Sequence, residues 1–275
     1  MTKTRAPGQN IFFIALVAVA IAFLAGFIIS AISLVLLKGL PGLASSLASP
    51  EIQFAMKLSL STSIISTLLC FAFALPAAYG LVRFDFPGKG VVNAVLNIPI
   101  ALPPVVSGVA LLLLFGTTAL GNELAARGLK FVFTPQGIVV AQFFVNAPYM
   151  MTVLRSTFKD IDPRLEFVAR TLGCSQLQSF LRVTLPLARN GLIAASVITW
   201  ARALGEFGAV LMLCGATRFK TEVLPISLFL NMSTGELDLA MAAASILIII
   251  SLTSLFVFEL LGASYKQFEI SRVEI

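Results

Sequence analysis

Residues Ile11 to Leu37 form a run of 27 residues without one charged side chain. As a helix rising about 1.5 Å per residue it would be ~40 Å long, more than the ~30 Å hydrocarbon core of a bilayer. It is also well beyond the about 7–15 apolar residues of a secretory signal. The run is predicted to be a retained, tilted membrane span. Further apolar runs follow at about 58–82, 91–116, 135–154, 190–215 and 240–263. Backbone polar groups must be satisfied inside lipid, and runs of this length do so as helices. The alternating ~10-residue segments of a membrane β-barrel are absent from the sequence. The expectation is an all-α, polytopic membrane protein with six transmembrane helices, forming one domain over residues 1–275.

Composition supports this and removes most chemistry. Only 12 % of the residues are charged and 58 % are hydrophobic, against roughly 25 % charged in soluble domains. There is no histidine, which excludes Ser-His-Asp triads, His-ligated zinc and His proton relays. Cys70, Cys174 and Cys214 are too far apart for a metal or redox motif and are read as packing residues. No metal site, cofactor or intramembrane enzyme is expected. No Gly-x-x-x-x-Gly-Lys-Ser/Thr phosphate loop occurs, so the chain does not bind ATP in that manner.

The basic residues orient the spans. Segments on one side hold 12 lysines and arginines, Lys3, Arg5, Lys266 and Arg272 among them; those on the other side hold 6, and Arg202 lies within a span. The excess belongs inside, so both termini are expected in the cytoplasm of a cell-membrane protein. The longest cytoplasmic segment, about 155–189, joins spans four and five.

That segment is too elaborate for a connector, since helix–helix connections usually take about 2–8 residues. Asp162 and Pro163 are suited to open a helix and Gly173 to close it in the left-handed conformation. Ser175 and Gln178 form a capping-box pattern that starts a second helix, with Leu185-Pro186 as its expected end. With membrane spans on both sides, a DNA-binding role is excluded and no nucleic-acid partner is expected. A rigid pair of helices at about 163–185 fits a docking element for a cytoplasmic protein.

Here the sequence resembles a known family. Glu166-x-x-Ala169-x-x-x-Gly173, followed by Phe180-x-x-Val183-x-Leu185-Pro186, is similar to the EAA signature of ABC importer permeases, with Phe167 in place of the usual second Ala and Val183 in place of Ile. The resemblance implies the type I ABC importer permease fold and an ATPase-coupling role for Glu166, Ala169, Gly173, Phe180, Leu185 and Pro186. It also implies a homodimer, two ATP-binding cassette ATPase subunits and an extracytoplasmic binding protein. Hydrolysis would then belong to the partner, and the chain itself would not be an enzyme. Leu102–Gly116, Ala201–Gly208, Asp85–Lys89 and Thr221–Pro225 resemble molybdate, tungstate and sulfate permeases. The loop from Thr221 to Leu239 resembles the molybdate/tungstate branch more than the sulfate/thiosulfate branch. An ion-coupled secondary transporter is the rival class. It would need interior carboxylates, and Glu206 is the only mid-span acid, with Arg202 nearby.

Two places in the spans could shape a pathway. Pro99, Pro103 and Pro104 should kink or unwind span three ahead of Ser107; this is either a pathway wall or gate, or a packing kink. In span five, Arg202 and Glu206 are spaced i, i+4 and are expected on one helical face as a self-neutralising pair. They either line the pathway or fix helix packing. Gln142 and Asn146 in span four are read as packing before pathway. The apolar run Val223–Leu230 is too short to cross and is expected to be re-entrant or interfacial on the outer face.

Overall fold

The computed structural model describes residues 11–273, with side chains at 13–254 and 256. Lys3, Arg5 and the side chains of Lys266 and Arg272 therefore lie outside the described residues. The first apolar run is the helix α1 (Ile11–Gly39), and the loop after it holds the single-turn α2 (Leu43–Ala48). Then come α3 (Pro50–Arg83), α4 (Lys89–Ala101), α5 (Pro104–Thr117), α6 (Ala119–Ala126) and α7 (Pro135–Asp160). After these, α8 (Pro163–Thr171) is followed by α9 (Gln176–Ser179), a wide π-turn at Phe180–Thr184, and α10 (Leu185–Leu204). The chain ends through α11 (Gly208–Cys214), α12 (Leu224–Thr234) and α13 (Leu237–Val273). Five helices among the described residues are long and apolar enough to cross a membrane, and the bent pair α4–α5 makes a sixth if it counts as one span.

The bent pair contacts α7 at two separate levels. Asn93 at the start of α4 accepts a hydrogen bond from Arg155 near the end of α7. Elsewhere, Phe115 of α5 packs at a tilt against Phe131, just before α7 begins, with ring centroids 4.8 Å apart. The pair thus meets α7 near both of its ends, with a sharp corner between the two helices.

The core sets small side chains, which let membrane helices approach closely, against large apolar ones. Cys70, Ala74 and Ala78 of α3 meet Met150, Leu154 and Phe158 of α7 and Ala188 and Ala195 of α10. A second cluster joins Leu111 of α5, Ile138 and Ala141 of α7 and Ala209–Val210 of α11. A third sets Ile52 and Ala55 of α3 against Leu224 of α12 and Ala243 and Ile246 of α13. The apolar surface of α1 is exposed in the single chain, as lipid contact allows. It is tied to α13, where the Ser245 hydroxyl donates to the Val35 carbonyl at 3.4 Å.

Two sequence expectations about helix ends are corrected. Pro186 does not end the second helix of the α8–α9 pair; the chain continues as one helical path from Gln176 to Leu204. The π-turn before it makes this possible, with Leu185 N–H reaching the Phe180 carbonyl. Proline has no N–H and crowds the carbonyl four residues back, and the wider turn relieves that crowding. Span five, in turn, is not continuous: α10 stops at Leu204 and α11 starts at Gly208.

Candidate coupling and translocation sites

At the end of the bundle where α7 finishes, the chain turns sharply into α8. The Asp162 carboxylate accepts from Arg164 N–H at 2.9 Å and Pro163 occupies the first turn. After α8, Gly173 takes φ +94°, a conformation that costs an L-residue about 1–2 kcal/mol. Ser175 and Gln178 then complete the expected capping box. Local sequence thus fixes both helix starts and the turn between them.

The placement of α8 depends on distant residues. Glu166 is its only buried side chain. Its carboxylate accepts from the Tyr79 hydroxyl at 2.7 Å and from Arg83 Nε at 2.8 Å. Arg83 also donates to the Ile161 carbonyl at 2.9 Å, and Ser179 Oγ donates to the Glu166 carbonyl at 3.2 Å. Burial pushes the Glu166 carboxyl up, but the hydrogen bonds from Tyr79 and Arg83, the nearby Thr184 hydroxyl and the Arg83 charge outweigh it and hold the group below the usual carboxylate range. The outward side carries exposed apolar side chains between Arg164 and Arg170: Leu165, Phe167 and Val168 of α8, then Leu172 at its end, with Leu177 and Leu181 beyond the turn. Ala169 and Phe180 are half-buried, Gly173 and Pro186 exposed, and Leu185 half-buried. Tyr79 and Arg83 carry no signal in the sequence, since each lies more than 80 residues from Glu166.

The second site is where two broken spans meet. A residue before proline is pushed out of the helical region. Leu102 precedes Pro103, and Pro103 precedes Pro104, so both are extended, with ψ 138°. The axis turns by 112° between α4 and α5. Across from this corner, the backbone breaks again at Gly205–Phe207. A Cβ at Gly208 would lie 3.0 Å from Pro104 Cβ, and one at Gly108 only 2.7 Å from the Ala209 carbonyl oxygen. The glycines are what let the two corners touch.

Polar side chains collect there. Glu206 is buried and accepts from Ala209 N–H at 3.0 Å, capping the free end of α11. Gln142 Nε2 donates to the Ala203 carbonyl at 2.8 Å, satisfying one of the last carbonyls of α10. The Ser107 hydroxyl and the Asn146 Oδ1 are buried without a protein partner among the described residues. Arg202 is not paired with Glu206 across a helical turn as the i, i+4 spacing suggested. The helix ends between them, and the Arg202 guanidinium lies on the Tyr149 ring, 3.7 Å from its centroid. Arg202, Pro103 and Pro104 are exposed on the single chain, whereas Ser107 and Glu206 are buried.

The opposite end of the bundle is locked by a third group. The loop between α11 and α12 is not a surface strap: Thr221, Glu222 and Val223 are buried. Arg218 is ion-paired with Glu51 of α3 and donates to Asn231 Oδ1 of α12 at 3.0 Å. Glu222 accepts from Phe219 N–H at 3.0 Å, and Ser59 Oγ accepts from Leu224 N–H at 2.7 Å. The start of α12 is therefore packed into the bundle and not laid along an interface.

These features match known transport proteins. Residues 71–266 match the family of binding-protein-dependent transport system inner membrane components. A probable molybdenum ABC transporter permease of Haloferax volcanii is 35 % identical over 232 residues, covering 84 % of each chain. The sulfate transport system permease CysT of Salmonella typhimurium is 33 % identical over 220 residues, 80 % of this chain and 79 % of that one. The molybdate/tungstate permease WtpB of Thermococcus kodakarensis is 36 % identical over 193 residues, 69 % of this chain and 73 % of that one. Among solved structures, a bacterial ABC transporter that imports alginate superposes with a TM-score of 0.72 at 20 % identity, over 94 % of this chain and 95 % of that one. The methionine transporter MetNI in an inward-facing form gives 0.61 at 18 % identity, over 78 % and 95 %. The chain belongs to the binding-protein-dependent transport system inner membrane components and has the fold of a type I ABC importer permease.

Proposed function

We propose that this chain is the permease subunit of an ATP-driven importer of molybdate or tungstate. It works as a homodimer with two ATPase subunits and an extracytoplasmic oxyanion-binding protein. The observation that carries the coupling role is α8: a doubly capped helix with an apolar outer face, held from behind by Glu166. An ATPase subunit docks on Phe167, Val168, Leu172 and the turn at Gly173, which places the α8 end and both termini in the cytoplasm. ATP draws the two α8 elements of the dimer together and opens the pathway outward; hydrolysis reverses the movement.

The pathway follows the corner at Pro103–Pro104 and the break beside Arg202. Selectivity resides mainly in the binding protein, so the permease needs no tight anion site. Arg202 offsets the repulsion that Glu206 alone would exert on an oxyanion. The apolar face of α5, with Val105, Val106, Val109 and Leu113 exposed, suits the second copy. The molybdate/tungstate choice is supported by a 35 % identical molybdenum permease and a 36 % identical molybdate/tungstate permease, and by the loop from Thr221 to Leu239. A sulfate importer is the second reading, favoured by sulfate permeases at 33 % and 35 % identity.

The test is uptake of labelled molybdate, tungstate and sulfate by proteoliposomes holding this permease, its ATPase and its binding protein. ATP-dependent accumulation of molybdate or tungstate, unaffected by excess sulfate, is expected. Accumulation of sulfate alone would transfer the assignment to the second reading.

A further inference from the structure

Beyond the docking surface lies the question of what moves when α8 moves. Of the nine residues in α8, eight face outward or are half-buried, and Glu166 alone enters the bundle. Its two side-chain partners, Tyr79 and Arg83, lie one helical turn apart in the last turns of α3. Arg83 reaches the Ile161 carbonyl as well, so the corner between α7 and α8 is gripped by the same side chain. The Tyr79 ring is wedged between Phe158 of α7, 5.8 Å away, and Phe180 of the π-turn, 4.6 Å away. Tyr79 therefore touches α7, the π-turn and α8 at once.

The geometry points to Tyr79 and Arg83 as positioning residues that pass the displacement of α8 to the membrane helix α3, through the Glu166 carboxylate. This rests on α8 being the ATPase contact. A joint of this kind needs to be stiff. Bonds to an ionised acceptor are shorter and stronger than neutral ones, and a buried charged group released from its partners is costly to leave alone. Under a push on the outer face, α8 and the end of α3 then move as one body. Without the joint, α8 is held by its two flanking turns and by the Ser179 bond to the Glu166 backbone, and it can shift while α3 stays still.

Tyr79→Phe removes one hydroxyl and keeps the ring packing, and Arg83→Gln removes the charge. Both are compared with the wild type and with Phe167→Ser, which alters only the outer face. Proteoliposomes of the full complex report ATPase co-purification, ATP hydrolysis and molybdate uptake. Retained co-purification with uptake per ATP hydrolysed reduced about tenfold in Tyr79→Phe and Arg83→Gln is expected, since loss of one strong buried bond corresponds to roughly that factor. The double variant should be no worse than the worse single variant, because the residues act as a unit. Unchanged uptake per ATP would overturn the joint, as would loss of co-purification in Tyr79→Phe with its thermal stability intact. Failure of the docking reading appears separately, as normal co-purification and normal uptake in Phe167→Ser.

Discussion

Each end of this permease buries a glutamate, and the two are treated in opposite ways. Glu166 meets a hydroxyl and a guanidinium, and both its oxygens are engaged. Glu222 meets Phe219 N–H through one oxygen, while its other oxygen is buried without a partner. Its nearest charged neighbours are Glu51 and, through Glu51, Arg218. Burial, then the second acid, raise the Glu222 carboxyl to about 7, whereas Glu166 is depressed. Burial alone therefore does not decide the state of a carboxyl; the number of donors around it does. The α8 end holds a permanent charge suited to a stiff joint, and the opposite end holds a group that changes charge near neutrality.

The sharpest way to break this contrast is Glu166→Gln. It leaves Arg83 buried without its counter-charge, at a cost of about 3 kcal/mol. A large fall in the melting temperature of the purified permease is expected by scanning calorimetry, with the wild-type value returning only when glutamate is restored. Gly173→Val follows. The φ of +94° makes any β-branched side chain there cost about 1–2 kcal/mol, and weaker ATPase co-purification should accompany the loss.

Glu222 supplies the pH test. Its folded value lies above the ordinary 4.5, so the folded state binds the extra proton between about pH 4.5 and 7. Stability should fall as pH rises through that window, then level off. Glu222→Gln should remove this slope in thermal melts between pH 5 and 8. Glu166 has the opposite sign: its contribution is complete above 4.5 and is lost only as pH falls below it, so it adds no slope in the same range. The smallest effect belongs to the exposed pair Arg127–Glu123, where Glu123→Gln should shift stability by less than about 0.5 kcal/mol. A larger shift there would mean that surface pairing, and not burial, sets the energetics.

What the sequence disclosed was what local rules control. The apolar runs placed the spans, the Asp162-Pro163 and Ser175–Gln178 caps placed two helix starts, and Gly173 placed the turn. Pro103-Pro104 announced the corner in span three because proline dictates the residue before it. The misreadings came where tertiary context overrides a local rule. Arg202 and Glu206 have the spacing of a helical pair, but α10 ends between them and each finds its partner elsewhere, on Tyr149 and on the Ala209 amide. Pro186 is a helix breaker by rule, yet a π-turn absorbs it. The Tyr79–Arg83–Glu166 joint had no local trace, since it is made by packing α8 on a helix that ended some 80 residues earlier.

The central claim is that this chain is a passive helical gate, moved by nucleotide hydrolysis in a partner through α8. It is tested most directly by measuring anion accumulation in proteoliposomes with and without the ATPase subunit, in the absence of any ion gradient. Uphill molybdate or tungstate uptake that requires both ATP and that subunit is predicted. Uphill uptake by the permease alone, driven by an imposed proton or sodium gradient, would contradict it.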